Sequence, residues 1–168
     1  MLTLRAALPS DIQTILSLIR DLAEYEQLLD QVDANEITLQ VALFNPQPRV
    51  FCNVAEWSNS VVPIGFALWF YNFSTFRGYH GIYLEDLYVQ PEFRGRGIGK
   101  ALLIQLAQRC IKEKLTRLEW AVLDWNEPAL KFYRSLGAKA TKEWLPHRVT
   151  GKALQHLASM PLQDTTGS

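Results

Sequence analysis

The sequence predicts an α/β fold of the α+β kind, in which a mixed, mostly antiparallel sheet is flanked by helices. Its 168 residues, 48% of them apolar, suffice for one domain with a continuous core. Three consecutive segments in the middle of the chain are rich in β-branched and aromatic residues, as an antiparallel meander requires. On both sides of them, apolar residues recur every three or four positions, which is the spacing of a helix. We therefore expect a single domain over residues 1–160.

A strand and two helices are predicted at the N-terminal end. The apolar alternation of Leu2–Ala6 predicts the first strand, and the next residues, Pro-Ser-Asp, combine a turn residue with two helix N-caps. Apolar spacings of three and four then predict an amphipathic helix over residues 12–28. A shorter helix is predicted over residues 38–44, because the turn residues of 45–48 follow it.

The middle of the chain predicts three strands and a buried helix. The strand segments are residues 50–56, 61–71 and 81–89. After Pro91 the pattern becomes helical, since Ile98, Leu102, Leu106 and Cys110 are four positions apart. This helix is expected to begin near Gly97.

The remaining elements complete the predicted order β-α-α-β-β-β-α-β-α-β-α. Residues 117–123 predict a strand, and residues 126–136 predict a helix that Gly137 closes. Residues 142–149 predict a last strand, followed by a short helix from about Gly151. Residues 161–168 are expected to be a frayed tail. Strands that alternate with helices in this way predict a mixed sheet with helices on its faces.

Charge and hydropathy limit the partners of the protein. Seventeen basic and seventeen acidic residues give a formal net charge of zero, so no global field attracts nucleic acid or an anionic membrane. The N-terminus lacks a basic segment followed by an apolar one, and no window reaches the roughly 18 apolar residues that cross a bilayer. We expect a cytoplasmic protein with neither nucleic acid nor membrane as a partner.

The cysteines and histidines predict no metal or redox site. Cys52 and Cys110 are far apart and belong to no CxxC motif, so both are expected to be buried and reduced. His80, His147 and His156 lack partners at ligand spacing. We therefore expect no bound metal.

The glycine-rich stretch from Arg94 to Lys100 is the most informative motif. Glycines let backbone amides converge on an anion, and the first turn of the following helix adds unpaired donors and a positive dipole end. Residues 92–117 carry seven basic and two acidic side chains, which agrees with an anion such as a pyrophosphate. A flexible surface turn is the alternative interpretation.

Two other phosphate-binding motifs do not match this stretch. A P-loop needs four residues between its first glycine and Gly-Lys, but three separate Gly95 from Gly99, and Ala101 stands where Ser or Thr is required. The dinucleotide fingerprint requires GxGxxG after the first strand of a βαβ unit, whereas this is GxGxG after the fourth predicted strand. Kinase and NAD-dependent functions are therefore disfavoured.

The pattern Arg94-x-x-Gly97-x-Gly99, between a strand and a helix, resembles the acetyl-CoA-binding motif of GNAT acetyltransferases. The order of elements is also similar to that fold over almost the whole chain. Residues 83–89, 124–128 and 132–138 resemble in particular the diamine branch, which includes the spermidine/spermine and thialysine enzymes. The resemblance implies acetyl-CoA as cosubstrate, a small-molecule amine as acceptor, and a homodimer.

The resemblance also implies which residues hold acetyl-CoA. The backbone of Leu87, Tyr88 and Val89 would face the acetyl carbonyl and the pantetheine arm. The pyrophosphate would lie on the loop that Arg94 opens, formed by Gly95, Arg96, Gly97, Ile98, Gly99 and Lys100. The other side of the cofactor would meet Asn126, Glu127, Pro128 and Ala129. For Asn126 and Pro128 a plain helix N-cap and first turn is an alternative that needs no ligand.

Acetyl transfer requires a neutral amine, and an alkylammonium is only about one part in a few thousand neutral at pH 7. Glu85 is predicted to accept that proton, through water, with an ordinary ion pair as the alternative. Tyr133 is predicted to protonate the departing CoA thiolate. It follows Asn126 by seven positions and Leu130 by three, so these residues share a helix face. Packing alone is the alternative for this aromatic residue.

Acidic residues predict a cationic substrate. Residues 21–36 carry six acids and no Lys or Arg, and with Glu85 and Asp86 they would attract a cation; a solvated face is the alternative. The resemblance implies that Tyr25 and Glu26 contact the distal part of the amine, and that Glu119 and Trp120 line its pocket.

The chain departs from the spermidine/spermine type at residues 143–148, which are more positively charged. A nearby cation favours an acceptor with its own carboxylate, such as thialysine, lysine or ornithine, over a polyamine. A peptide or protein N-acetyltransferase and an acetyl-CoA-binding module without turnover remain alternatives.

Overall fold

The structure is a computed structural model that describes residues 1–58, 60 and 62–161. The chain divides into two units, one over Met1–Ala121 and one from Val122 onward. The first unit contains the sheet, and its elements are β1 (Leu2–Ala6), α1 (Ile12–Tyr25), α2 (Glu36–Phe44), β2 (Phe51–Trp57), β3 (Gly65–Ser74), β4 (Tyr79–Val89), α3 (Ile98–Lys112) and β5 (Leu118–Trp120). The second unit contributes α4 (Glu127–Ser135) and α5 (Gly151–Ser159).

The sheet has the strand order β1-β2-β3-β4-β5. Its first four strands are antiparallel neighbours, and β5 runs parallel to β4. A parallel pair needs a crossover connection, which α3 supplies between β4 and β5. The predicted mixed, mostly antiparallel sheet with flanking helices is therefore confirmed.

A β-bulge interrupts β4 at Glu85. Asp86 pairs with Leu68 and Leu84 pairs with Trp69, so Glu85 has no opposite residue on β3. A bulge bends its strand and ends regular pairing. On the other side of β4, pairing with β5 also stops at Leu84, which explains why β5 covers only Leu118–Trp120 and not the predicted residues 117–123.

Helices cover both faces of the sheet in the first unit. One face packs against α1 and α2 in a cluster made of Ile12, Ile15, Leu16, Leu18, Leu39, Leu43, Cys52, Val54, Phe66 and Tyr88. The other face packs against α3, where Asn53 donates to Gln105 at 2.8 Å and Trp69 donates to Asn53 at 2.7 Å. Because strand residues alternate between faces, Asp86, opposite Leu68, lies on the α1 face.

Several predicted boundaries shift for local reasons. Helix α1 ends at Tyr25 rather than at residue 28, because Gln27 adopts a left-handed φ of 61°. Helix α2 begins at Glu36 rather than at Thr38, because Asn35 caps it by accepting from the Thr38 amide at 3.0 Å.

The predicted strands also differ at their ends. Strand β2 is Phe51–Trp57 rather than 50–56, and β4 begins at Tyr79 rather than at residue 81. Strand β3 begins at Gly65, after Pro63, which has no amide to donate, and it continues to Ser74 because the hairpin pairs Ser74 with Tyr79. The prediction placed its start at Val61, which lies outside the described residues.

In the second unit, the predicted strand over residues 142–149 is wrong. The structure contains no strand there, and the whole segment is exposed, including Trp144 at 72%. A strand needs a partner for its ladder, and Pro146 removes one of the donors. Helix α4 agrees with its prediction, with Asn126 as N-cap and Gly137 at a φ of 86° after its end. Of the predicted tail, residues 162–168 lie outside the described part.

No helix among the described residues has both the length and the apolar character that crossing a membrane requires.

Candidate active site

The predicted phosphate loop forms an open, left-handed turn before α3. Gly95 and Gly97 have φ values of 74° and 79°, and a Cβ at either position would meet no atom within 4 Å. Gly97 is also the N-cap of α3 and supplies no side-chain cap, so the amides of the first turn stay available to an anion. The loop therefore fits a pyrophosphate in conformation, in space and in available donors.

The basic side chains around this loop differ in the contacts that they make. The guanidinium of Arg94 lies 5.2 Å from the ring centroids of both Tyr25 and Tyr88. That of Arg96 lies 5.3 Å from Trp57 and 5.6 Å from Phe93. Lys100 is exposed and forms no salt bridge with any residue that the structure describes.

Two of the basic residues that supported the anion prediction have acidic partners instead. Arg109 pairs with Glu113 at 2.7 Å and Arg117 pairs with Glu119 at 2.7 Å. The local positive charge at the loop therefore comes from Arg94, Arg96 and Lys100.

The second half of β4 has a backbone edge that β5 does not cover. The β5 ladder involves only Ile82 to Leu84. The Tyr88 and Val89 side chains are buried, and Leu87 is partly buried. The edge predicted to face the acetyl and pantetheine groups therefore has backbone groups that the sheet does not use.

Three carboxylates come together at the bulge. The pKa of Asp86 is raised to about 6, first by burial and then by the negative charges of Glu85 and Glu26. Burial also raises the pKa of Glu26, which follows the last residue of α1. Glu85 itself is exposed. An alkylammonium would relieve the repulsion among these groups, so the cluster favours a cationic ligand.

The rest of the acidic segment is mostly solvated. Glu24, Asp30, Asp33 and Glu36 are exposed, as the alternative interpretation of a solvated face requires. The structure brings Glu26 from this segment to the Asp86 cluster.

Glu119 and Trp120 are placed differently from each other. The carboxylate of Glu119 accepts from Asn72 at 2.6 Å in addition to its pair with Arg117. Glu119 is opposite Tyr83 and Trp120 is opposite Leu84, so their side chains point to opposite faces of the sheet. The structure thus does not bring these two side chains to one face, and Glu119 is already neutralised.

In the second unit, Asn126 is a buried N-cap. Its Oδ1 accepts from the Ala129 amide at 3.3 Å, and Pro128 lies in the first turn of α4. Glu127 pairs with Arg134 at 3.1 Å. Asn126 therefore caps α4, and its contact with the cofactor stays a prediction. Tyr133, seven residues later on α4, is partly buried and lies against Phe132, with ring centroids 5.2 Å apart.

The cysteines are buried and unpaired, as predicted. Burial raises the pKa of the Cys52 thiol to about 12, which removes it as a nucleophile near neutral pH. Within the described ranges, no group of three or more His, Cys, Asp or Glu side chains is arranged to hold a metal ion.

Comparison with known proteins identifies the family. Residues 13–138 match the model of the Acetyltransferase (GNAT) family. The chain belongs to the GNAT acetyltransferase family. This match extends across the boundary between the two units. Members of the family use acetyl-CoA as acetyl donor, which agrees with the anion-binding conformation of the glycine loop.

Relatives within the GNAT family agree on the reaction type. The chain is 39% identical to a thialysine N-epsilon-acetyltransferase of Bos taurus, over 92% of this chain and 96% of that protein. It is 32% identical to an L-ornithine N5-acetyltransferase of Arabidopsis thaliana, over 90% and 86%. An integron cassette protein from the mobile metagenome of V. cholerae shares the fold, with a TM-score of 0.78, 26% identity and coverage of 95% and 98%. The chain is thus an N-acetyltransferase.

Sequence reasoning missed the contacts that organise this site. The bulge at Glu85 is a property of strand register, and no glycine or proline marks it in the sequence. The two tyrosines around Arg94, Tyr25 and Tyr88, lie 69 and 6 positions earlier in the chain. An aromatic pair near an arginine has no local sequence signature, because the contact joins distant elements.

Proposed function

We propose that this enzyme transfers the acetyl group of acetyl-CoA to the side-chain amine of a small cationic amino acid, of the thialysine, lysine or ornithine type. The observation that carries the proposal is the cluster of Glu26, Glu85 and Asp86, which lies in the same unit as the glycine loop. The carboxylate cluster favours a cation, and the glycine loop favours an anion. The relatives named for thialysine and ornithine support an amino-acid acceptor over a polyamine.

Acetyl-CoA would supply the acetyl group as an activated thioester. The loop from Gly95 to Lys100 would hold its pyrophosphate through backbone amides and the α3 dipole. The uncovered edge of β4 at Leu87, Tyr88 and Val89 would donate to its carbonyl-bearing arm. By resemblance, Asn126, Glu127, Pro128 and Ala129 would also contact the cofactor.

The carboxylate cluster would bind the amine as an ammonium and then remove its proton. Glu85 is the proposed acceptor, because it stands exposed at the bulge while Asp86 is partly buried beside it. Asp86, with a pKa of about 6, is mostly ionised at pH 7 and adds attraction for the cation. By resemblance, Tyr25 and Glu26 would contact the distal part of the amine, and Glu119 and Trp120 would line its pocket.

Tyr133 is the proposed acid for the departing thiolate. The resemblance carries this assignment, together with its position two turns after the Asn126 cap. The substitution Tyr133→Phe removes the proton and keeps the ring that packs against Phe132.

The experiment is a panel of amines in a CoA-release assay. Thialysine, lysine, ornithine, spermidine and putrescine are each assayed from neutral to mildly alkaline pH. We expect turnover of the amino acids with a higher kcat/KM than that of the polyamines. Equal or better turnover of spermidine would contradict the amino-acid assignment, whereas tight acetyl-CoA binding without turnover of any amine would contradict catalysis on this class.

Variants of the proposed acid and base complete this test. With the best amine, Glu85→Gln and Tyr133→Phe should each lower kcat by about 10²- to 10⁴-fold, the usual contribution of general acid–base catalysis. The exposed Tyr79 of the β3–β4 hairpin offers a matched control, since Tyr79→Phe should retain full activity. A Tyr133→Phe enzyme with unchanged kcat would remove that residue from the mechanism.

The match over residues 13–138 supports a further proposal, that residues 1–160 act as one N-acetyltransferase domain. The resemblance to diamine acetyltransferases supports a homodimer, which light scattering of the purified protein tests.

A further inference from the structure

One side chain connects the glycine loop to the end of α1. Arg94 opens the loop, and its Nε donates to the Val89 carbonyl at 2.8 Å, at the end of β4. Its guanidinium lies between the ring of Tyr88 on β4 and the ring of Tyr25, the last residue of α1, at 5.2 Å from each centroid. A planar guanidinium stacks on aromatic faces, and a lysine ammonium cannot lie flat between two rings.

The end of α1 also carries one of the carboxylates. Glu26 directly follows Tyr25 as the C-cap of α1, and its amide donates to the Leu22 carbonyl at 2.9 Å. Its negative charge acts on Asp86. The backbone leaves the helix immediately afterwards through Gln27, whose φ is 61°. Tyr25 and Glu26 are neighbours at the end of α1, so a contact that holds the Tyr25 ring also restrains the backbone that carries Glu26.

We propose that Arg94 is a positioning residue that couples the two substrates: by holding Tyr25 against Tyr88, it places Glu26 beside Asp86, so that filling the glycine loop orders the amine site. This inference rests on the proposed function. If Arg94 contacted only the phosphates, its substitution would leave the KM of the amine unchanged once acetyl-CoA saturates its site. A positioning role predicts that this KM rises.

The size of the effect follows from the contacts. Each exposed guanidinium–ring contact contributes about two- to fivefold in affinity. We expect Arg94→Lys to raise the KM of the amine about five- to tenfold at saturating acetyl-CoA, with a smaller change in kcat. Tyr25→Leu should raise it similarly. Both substitutions disrupt the same stacked arrangement, so their effects should not multiply. The amine KM of the double variant should therefore exceed that of the more impaired single variant by no more than twofold.

Two arginines provide matched controls. Arg96→Lys alters a stacked arginine of the same loop that contacts Trp57 and Phe93, so it should change the KM of acetyl-CoA and leave that of the amine within twofold. Arg109→Lys alters a stacked arginine on α3, 5.1 Å from the Trp69 ring, and should leave both constants within twofold.

A second readout does not depend on turnover. Hydrogen exchange of the α1 end, residues 22–28, is measured with and without saturating CoA. In the wild-type protein CoA should slow exchange both in the glycine loop and at the α1 end, and in Arg94→Lys it should slow exchange in the loop alone. If no amine is turned over but this pattern holds, the amine assignment fails and the coupling stands.

The coupling is overturned by any of three results. These are an unchanged amine KM in Arg94→Lys, multiplicative effects of the two single variants, or CoA protection of the wild-type loop that does not extend to residues 22–28. Failure of the protein to bind CoA would overturn the proposed function and this inference with it.

Discussion

At the scale of single residues, Asp86 shows how the fold adjusts a carboxyl group. Burial raises its pKa to about 6, and the charges of Glu85 and Glu26 add to the effect. The folded protein therefore keeps a proton that the unfolded chain has already released between about pH 4 and pH 6. Stability consequently falls as the pH rises through that window, and the loss persists at pH 7.

We predict that Asp86→Asn stabilises the protein at pH 7 and impairs its function. Removing the charge should raise the free energy of unfolding by about 1–2 kcal/mol at pH 7, with little gain at pH 4. The KM of the amine should rise about tenfold, because one carboxylate of the cluster is lost. Urea unfolding at both pH values and steady-state kinetics measure this, with exposed Asp30→Asn as the control. A destabilised variant at pH 7 would show that Asp86 has a compensating partner.

At the scale of elements, the start of α3 depends on backbone conformation. Gly97 combines a left-handed φ of 79° with the N-cap position, and the space around it is open. A Cβ at residue 97 would meet no neighbour, so any stability lost on substitution must come from the backbone conformation itself.

We predict that Gly97→Ala acts on acetyl-CoA binding more than on stability. The left-handed conformation should cost alanine about 1–2 kcal/mol, so the loop should shift and its backbone amides should no longer converge on the anion. The dissociation constant of CoA should then rise about tenfold. Gly78 in the β3–β4 turn is a matched control, with a φ of 68° and equally open surroundings. Gly78→Ala should cost similar stability with unchanged CoA affinity, and calorimetric titration distinguishes the two. Equal CoA affinity in both variants would contradict the loop as the phosphate site.

The junction between β1 and α1 depends on a charged contact. Arg5 donates to both oxygens of buried Asp11, at 2.6 and 2.9 Å, and to Glu56 at 2.6 Å. The hydrogen bond from Arg5 is the main reason that the pKa of Asp11 is lowered. A lowered carboxyl pKa contributes stability above the ordinary value near 4 and loses it as the pH falls through the folded value.

We predict that Arg5→Met destabilises the protein by about 2–4 kcal/mol at pH 7, because the Asp11 carboxylate stays buried without its cation. The difference from the wild type should shrink toward pH 3, because the buried Asp11 carboxyl of the variant, which lacks the arginine, then takes up a proton and loses its charge. The exposed pair of Arg134 and Glu127 provides the control, since Arg134→Ala should change stability by less than about 0.5 kcal/mol. Urea midpoints across pH measure both, and a constant difference from pH 7 to pH 3 would argue against the Asp11 contribution.

At the scale of the whole molecule, we predict that the full chain unfolds in one transition that CoA shifts upward. The family match spans both units, as one catalytic domain requires. A ligand that binds only the folded state at a hundredfold excess over its Kd stabilises by about 3 kcal/mol, or roughly 5–10 °C for a chain of this size. Differential scanning calorimetry tests this, and two separate transitions, of which CoA shifts one, would contradict a single domain.

The local features of this protein follow directly from its amino-acid sequence. Gly95 and Gly97 predicted a loop whose backbone amides can converge on an anion, the spacing of Ile98, Leu102 and Leu106 predicted a buried helix, and Asn126 was a candidate N-cap. Each depends on conformations available to one residue or on the period of one element, which neighbouring residues encode. The residue types at Glu85 and Asp86 also indicated the chemistry, and the motif indicated the family.

Contacts between distant residues depend on the three-dimensional fold. The bulge at Glu85 is set by the register of β3 against β4. The pKa of Asp86 is raised first by burial within the fold and then by the charges of Glu85 and of Glu26 from another element. The partners of Arg94 and the neutralisation of Glu119 by Arg117 likewise depend on contacts across the fold. The absent strand at residues 142–149 has the same cause, because pairing energy belongs to two segments and cannot be read from one.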